Sequence, residues 1–201
     1  MINGTFENKL PISVFIITLN EEAHLARLLA SIANFNEIVI VDSGSSDNTL
    51  KIAEQYGATV YHQEWLGFAK QKQNAMSLCS NEWVLNLDAD EALNTQIISQ
   101  ISHVILYRSA DSIRFRRNDF FINKKSSLLT KLPKNRRLYK KSKAHFDSSV
   151  LVDETATIEG KEVLINKPFD HYGYNNISKL TDKNNQYSGL KALEKYQKFQ
   201  T

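Results

Sequence analysis

Apolar and polar positions along the first half of the chain switch repeatedly between two periods, and each switch marks an element. Ile12-Ser-Val-Phe-Ile-Ile-Thr-Leu19 is a near-continuous apolar run of strand length, which predicts a strand buried on both faces. Asn20-Glu21-Glu22 then predicts a helix opening, because Leu25, Leu28, Leu29 and Ile32 recur at helical spacing behind it. Glu37-Ile-Val-Ile-Val41 reads as a second strand and Ala58-Thr-Val-Tyr61 as a third. Between them lies the turn Asp42-Ser-Gly-Ser-Ser-Asp-Asn48, with Asp47 placed to cap a helix from Thr49 to Tyr56 that Gly57 ends. A helix over 68–78 leads to a fourth strand, Val84-Leu-Asn-Leu87. Strands alternating with helices in this order predict a parallel, right-handed sheet with helices on both faces.

The pattern is less regular beyond residue 107. Ala110–Arg116 reads as a strand, Thr157–Ile165 as strand-turn-strand about Glu159-Gly160, and Ser178–Phe199 as an amphipathic helix. Leu190, Leu193, Tyr196 and Phe199 form the apolar stripe of that helix, with Gly189 weakening its middle. No repeat or low-complexity linker divides the chain, so its 201 residues read as one domain. Residues 10–107 form the regular half. Residues 108–201 form the basic half and the C-terminal helix.

The fourth strand ends abruptly in Asp88-Ala-Asp-Glu91. Open α/β sheets bind ligands at the carboxyl ends of their strands, so these carboxylates stand where a ligand belongs. Two acids one residue apart repel each other, and a hard divalent cation shared with substrate phosphates relieves that repulsion. No Gly-x-Gly-x-x-Gly follows the first strand and no Walker A sequence occurs, which excludes a dinucleotide fold and a P-loop.

Composition changes this picture at two points. A single cysteine, Cys79, excludes an internal disulfide, fits a reducing compartment, and reads as a small buried hydrophobe. The N-terminus lacks the basic and apolar regions of a signal peptide, so a cytoplasmic location is expected. The net charge of +3 conceals an asymmetry: thirteen Lys/Arg between Arg108 and Lys143, less Asp111 and Asp119, leave +11 on that segment. Phenylalanines and leucines interleave with these bases, which suits a basic, partly apolar surface facing anionic lipid headgroups.

Three stretches together resemble the signatures of family 2 glycosyltransferases with the GT-A fold: Ile12 to Glu21, Ile38 to Thr49, and Val84 to Glu91. Trp65-Leu-Gly-Phe-Ala-Lys-Gln-Lys72 resembles the branch of lipopolysaccharide-core β-glucosyltransferases. The resemblance is strong over residues 11–92 and patchy afterwards. It implies an α/β nucleotide-diphospho-sugar transferase fold, a mostly parallel central sheet flanked by helices with a less regular C-terminal acceptor region.

It also implies roles for particular residues. Thr18, Asn20, Glu21 and Asp42 would border the nucleotide, and Asp42 would accept hydrogen bonds from the base or ribose. Lys72 and Arg137 would meet the diphosphate, with Asp88 and Ala89 against the donor. Asp90, Asp88 and His171 would hold Mn²⁺ or Mg²⁺, neutral imidazole suiting Mn²⁺. Direct displacement with inversion needs one general base, which the resemblance places at Glu154. Asp153, where the branch has histidine, adds a second acid that can raise the Glu154 pKa or take over its role. The chain lacks Gln-x-x-Arg-Trp, a feature of processive relatives, so single-sugar transfer is expected.

The expected activity is movement of one hexose, glucose, from a UDP-sugar to a lipopolysaccharide-core or other lipid-linked acceptor at the inner membrane face. No nucleic acid partner is expected. Two other readings compete: a catalytically weak nucleotide-sugar-binding module, and a nucleic-acid-binding protein using the basic segment 108–143.

Overall fold

The computed structural model of the chain describes residues 9–107, 109–121, 124–125, 132–151, 155–174 and 177–199. In chain order the elements of the regular half are β1 (Leu10–Thr18), α1 (Leu25–Ser31), β2 (Phe35–Asp42), α2 (Thr49–Gln55), β3 (Thr59–His62), α3 (Phe68–Ser77), β4 (Trp83–Asn86), β5 (Glu91–Ala92) and α4 (Thr95–Tyr107). The second half adds β6 (Ser112–Phe121), β7 (Lys124–Lys125), β8 (Lys134–Lys140), a 3-10 turn (Lys141–Lys143), β9 (Ala144–His145), β10 (Thr157–Ile158), β11 (Glu162–Tyr174) and α5 (Ile177–Phe199).

The main sheet runs β3-β2-β1-β4-β8-β6-β11-β5, with β7 paired to β6. The first four strands are parallel, as the alternation of strands and helices predicts. The junction with the second half is antiparallel, β4 to β8 and β8 to β6, and β11 then runs parallel to β6. β1 lies in the middle of the parallel half and supplies both cores. Ile12, Val14 and Ile16 pack with α1 and α4, while Phe15 packs with α3, Tyr139 and Phe146 on the opposite face. Period-two alternation explains the division: successive side chains of a strand point to opposite faces, and both faces here are covered. Cys79 is buried in the α3-side core, and burial pushes its thiol up to about 12, which keeps it protonated and inert.

Three expectations need correction. Asn20-Glu21-Glu22 does not open a helix; α1 begins at Leu25. Asn20 adopts a left-handed φ of 56°, and the amides of residues 20–22 are bonded to Ser45, Thr49 and Asp47 side chains instead of waiting for helical partners. The strand foreseen at 110–116 extends to Phe121 because it finds partners on both edges in β8 and β11. Strands do flank Glu159-Gly160 as read, and each finds its partner elsewhere: β10 pairs with β9, and β11 with β6. In α5 the expected apolar stripe is not covered, since Leu193 is 47% and Tyr196 61% exposed. That helix instead turns Asn184, Tyr187, Ser188 and Lys191 toward a cavity at the strand ends.

Candidate functional site

The carboxyl ends of β1, β2 and β4 lie side by side, with Thr18 directly opposite Asp42 in register. Thr18 Oγ1 donates to Asp42 Oδ1 at 2.9 Å, and Asp42 also accepts the amides of Gly44 and Ser45 and the Ser45 hydroxyl. Burial raises the Asp42 pKa, but the Ser45 and backbone hydrogen bonds outweigh it and hold the carboxyl below its ordinary value. Asn20 Oδ1 accepts the Ser46 amide at 2.8 Å, and the Glu21 amide donates to Thr49 Oγ1 at 2.8 Å. These bonds lash the loop after β1 to the loop after β2, giving a rigid rim at the strand ends. Asp47 Oδ1 accepts the amide of Thr49, although Asn48 is the residue at the α2 cap position.

The acidic cluster after β4 is braced by cations. Lys72 Nζ of α3, only 3% exposed, lies 3.0 Å from Asp88 Oδ1. Arg137 Nη2 of β8 lies 2.7 Å from Asp88 Oδ2 and also pairs with Glu91 Oε1, while its Nη1 donates to Asn86 Oδ1 at 3.3 Å. Burial pushes Asp88 upward, but Arg137 and then Lys72 reverse this and leave it ionised far below the ordinary range. Glu91 is 1% exposed; burial, with Asp88 and Asp90 nearby, pushes it up to about 7 against the pull of Arg137.

Asp90 looks the other way, toward β11. The short strand β5 pairs antiparallel with β11 and sets Glu91 opposite His171, which brings His171 Nε2 to 3.4 Å from Asp90 Oδ2. On its other edge, β11 sets His171 opposite Asp119 of β6, and Asp119 Oδ1 holds His171 Nδ1 at 2.8 Å. Arg117 Nε holds the same carboxylate oxygen at 2.8 Å. Burial lowers the His171 pKa, but the bonds to Asp119 and Asp90 raise it further, to about 9.

This pair fits a divalent cation. A histidine whose Nδ1–H is held by a carboxylate presents Nε2 as a ligand, the usual arrangement behind metal-bound imidazole. Gly173 leaves the necessary room: a Cβ there would lie 2.6 Å from Asp90 Oδ2 and 2.7 Å from His171 Nε2. Among the described residues no three of His, Cys, Asp and Glu are grouped to hold a metal alone. Two protein ligands, the rest being phosphate oxygens and water, is the pattern Mg²⁺ and Mn²⁺ accept in phosphate-handling sites. Asp88 does not join Asp90 and His171 in this arrangement, because Lys72 and Arg137 occupy it.

A cavity of about 500 Å³ opens between the strand ends and α5. Its wall carries Lys72, Arg117, Arg136, Arg137 and Lys191 beside Asp88; Lys72 and Arg137 pair with that carboxylate, Arg117 with Asp119 and Arg136 with Glu162, so an entering phosphate would compete for cations already paired. Lys72, Asp88, Arg137 and His171 line it; Thr18, Asn20, Glu21, Asp42, Ala89 and Asp90 do not. Asp153 and Glu154 lie outside the described residues. Much of the basic segment is consumed internally: Arg114 and Arg136 pair with Glu162, Arg117 with Asp119, Arg137 with Asp88 and Glu91, and Lys140 with Asp111. The cationic face left for a lipid or nucleic acid is therefore smaller than the charge count suggests. Among the described residues, no helix is long and apolar enough to cross a membrane.

Sequence reasoning did not assign site roles to Asp119, Arg117, Asn86 and Gly173, or to the inner face of α5. Asp119 and Gly173 carry no local signal, since each acts across a strand pairing. The spacing of Asn184, Tyr187, Ser188 and Lys191 does mark one helix face.

Comparison with known proteins bears on the family and the fold. The glycosyl transferase family 2 model matches residues 13–159. An uncharacterised glycosyltransferase of Rickettsia felis is 37% identical over 200 residues, covering 91% of this chain and 69% of that protein. The lipopolysaccharide core biosynthesis glycosyltransferase LpsC of Rhizobium meliloti is 36% identical over 160 residues, covering 76% of this chain and 59% of LpsC. Among solved structures, S. aureus TarS residues 1–349 in complex with UDP-GlcNAc superposes with a TM-score of 0.65 at 16% identity, over 85% of this chain and 60% of that one. The chain thus spans roughly 60–70% of the length of these relatives. With the sheet, the strand-end acids and these matches in agreement, the chain belongs to the family 2 glycosyltransferases and has their GT-A fold.

Proposed function

We propose that the chain is an inverting, metal-dependent, non-processive transferase. It moves one hexose, glucose, from a UDP-sugar to a lipopolysaccharide-core or other lipid-linked glycan. The observation that carries this reading is the convergence of Asp88, Lys72, Arg137 and His171 on one cavity, with Asp90 Oδ2 3.4 Å from His171 Nε2 behind its wall. Similarity to LpsC supports a lipopolysaccharide-core acceptor. The single cysteine and a UDP-sugar donor fit a cytoplasmic site of action, with the remaining basic face toward anionic lipid.

The braced rim of Thr18, Asn20, Glu21 and Asp42 borders the nucleoside, and Ala89 sits between Asp88, which lines the donor cavity, and Asp90, which faces His171. Asp90 Oδ2 and His171 Nε2 would hold a divalent cation, which neutralises charge on the departing diphosphate and makes it a better leaving group. Lys72 and Arg137 supply further positive charge to the same oxygens. A diphosphate entering the cavity would compete with Asp88 for Lys72 and Arg137. Glu154, with Asp153 next to it, takes the proton of the acceptor hydroxyl as that oxygen attacks the anomeric carbon and UDP departs from the opposite side.

Calorimetric titration of UDP, with and without Mn²⁺, on wild type and Asp90→Ala tests the donor site. Metal-dependent UDP binding that disappears in Asp90→Ala is expected. Binding that ignores both the metal and the substitution sinks the metal assignment, and no UDP binding at all sinks the donor site. Glu154→Gln should retain UDP affinity and lose about 10²–10⁴-fold in transfer rate.

A further inference from the structure

A second cavity, about 220 Å³, lies beside the first. Trp65, Leu66 and Phe68 form one side of it, Val150 and Leu151 another, and Leu190 of α5 closes it. Trp65 is 49% and Leu66 46% exposed. Together with the apolar lining of the cavity, these two side chains form a contiguous apolar surface open to a ligand.

Their exposure is built in. Gln71, with no exposed surface, donates Nε2–H to Ser43 Oγ at 3.0 Å and to the Gln63 carbonyl at 3.1 Å, and accepts the Leu66 amide at 3.3 Å. A buried amide satisfied three ways fixes the loop that carries Trp65, so the ring is presented without an ordering cost at binding. Gly67, at a φ of 87°, makes the corner that starts α3.

Two connections join this cavity to the donor cavity. The Trp65 ring meets Phe68 edge-on at 4.8 Å, and Phe68 meets Tyr187 at 6.0 Å, with Tyr187 lining the donor cavity. Along the chain, Leu151 lines the second cavity and Thr155 the first, and the acids read as the catalytic base, Asp153 and Glu154, stand between them in sequence. An inverting displacement brings the acceptor hydroxyl to the face of the anomeric carbon opposite the leaving group, so the acceptor needs a site of its own next to the donor cavity.

We propose that the second cavity is the subsite for a pyranose ring of the acceptor glycan, stacked on Trp65; this rests on the transferase reading above. One face of a pyranose is largely C–H and lies well against the electron-rich face of an indole. Lys70 and Ser148 at the rim offer donors for ring hydroxyls or an anionic substituent. A concave, polar-rimmed pocket the size of one ring suits a sugar better than the acyl surface of a bilayer.

The test uses the whole chain and two probes: lipid-free core oligosaccharides released from lipopolysaccharide by mild acid, and vesicles of phosphatidylglycerol and phosphatidylethanolamine. Calorimetry reports on the oligosaccharide, with UDP titrated in parallel, and wild-type tryptophan fluorescence reports on the vesicles. The expected result is saturable oligosaccharide binding in wild type. Trp65→Ala should raise the oligosaccharide dissociation constant about tenfold or more, with Trp65→Phe between the two. Leu190→Trp, which fills the cavity, should weaken the oligosaccharide equally and leave UDP affinity unchanged. Absence of an oligosaccharide response in wild type overturns the subsite, as does a response that survives both Trp65→Ala and Leu190→Trp. A blue shift with vesicles alone overturns it in favour of membrane docking. Loss of UDP binding in wild type is a separate failure, that of the donor reading.

Discussion

His171 and Asp119 stand opposite each other on the parallel strands β11 and β6, and the Asp119 carboxylate holds His171 Nδ1 at 2.8 Å. This bond leaves Nε2 as the face that meets Asp90. The His171 pKa stands at about 9, above its ordinary 6.5: burial lowers it, and Asp119 and Asp90 more than compensate. A histidine raised on folding stabilises the fold fully below about pH 6.5, and that contribution is lost as the pH rises through about 9. Metal-free wild type should therefore lose stability to urea between these limits. Asp119→Ala should be less stable than wild type near pH 6, and the gap should narrow near pH 10 to what loss of the Arg117 pair leaves. Removing a carboxylate behind a ligating histidine should also weaken Mn²⁺ by about 10–100-fold, read by calorimetry. A His171 titration midpoint, followed by NMR, that does not fall in Asp119→Ala would contradict the assignment.

Gly173 gives a second prediction. Alanine there places a methyl between Asp90 Oδ2 and His171 Nε2, at 2.6 and 2.7 Å before relaxation. Both side chains must move apart, and the fold should lose about 1–3 kcal/mol, as overpacked sites do. Metal-dependent UDP binding should fall much further than stability, because the methyl occupies the space between the two ligands. Denaturation and calorimetry on Gly173→Ala separate the two effects, and unchanged metal binding would remove Asp90 and His171 as a metal pair.

The parallel half was legible because its signals are local. The apolar run 12–19 and the Asp-x-Asp after Leu87 each mark a strand or its end within a few residues, and β1 and β4 are where those signals place them. The Lys72–Asp88 contact joined two residues already singled out by their motifs. The rest depends on pairings of distant segments. Nothing near His171 announces that β5 will dock on β11, or that Asp119, 52 residues earlier, will sit beside it. The late start of α1 was hidden for a related reason: side chains from the loop after β2 satisfy the amides that a helix opening would have used. In α5 the apolar spacing was read correctly as helical, but Leu193 and Tyr196 remain exposed and the polar face turns inward, which periodicity alone does not decide.

Arg137 is the only described cation paired with both Asp88 and Glu91, and it is 7% exposed. Arg137→Met should cost about 3–5 kcal/mol, because Glu91 is left buried without its partner. The double variant Arg137→Met/Glu91→Leu should recover part of that loss, since an apolar pair needs no desolvation of charge. Denaturant unfolding of the two singles and the double gives the coupling directly. Strictly additive losses would mean that the two side chains do not depend on each other.

Asp42 bears on both the fold and the donor rim. Its carboxylate accepts four hydrogen bonds, from Thr18 Oγ1, the Gly44 and Ser45 amides and Ser45 Oγ. Burial opposes ionisation, but these bonds win and its pKa is lowered from 3.8. The sign is therefore that of a depressed acid: its stabilisation is present above about pH 4 and is lost as the pH falls through the lowered value. Asp42→Asn keeps the shape but turns one acceptor oxygen into an NH₂ group, which confronts donors on that side with another donor. A loss of about 1–3 kcal/mol at neutral pH is expected, the cost of buried donors left without acceptors. The variant should also show a flatter stability profile below about pH 4, because the group that titrates there is gone. UDP affinity should fall with it, since Gly44, Ser45 and Asn20 would lose the frame that fixes the rim. An Asp42→Asn protein with wild-type acid unfolding and weakened UDP binding would instead assign Asp42 to the ligand alone.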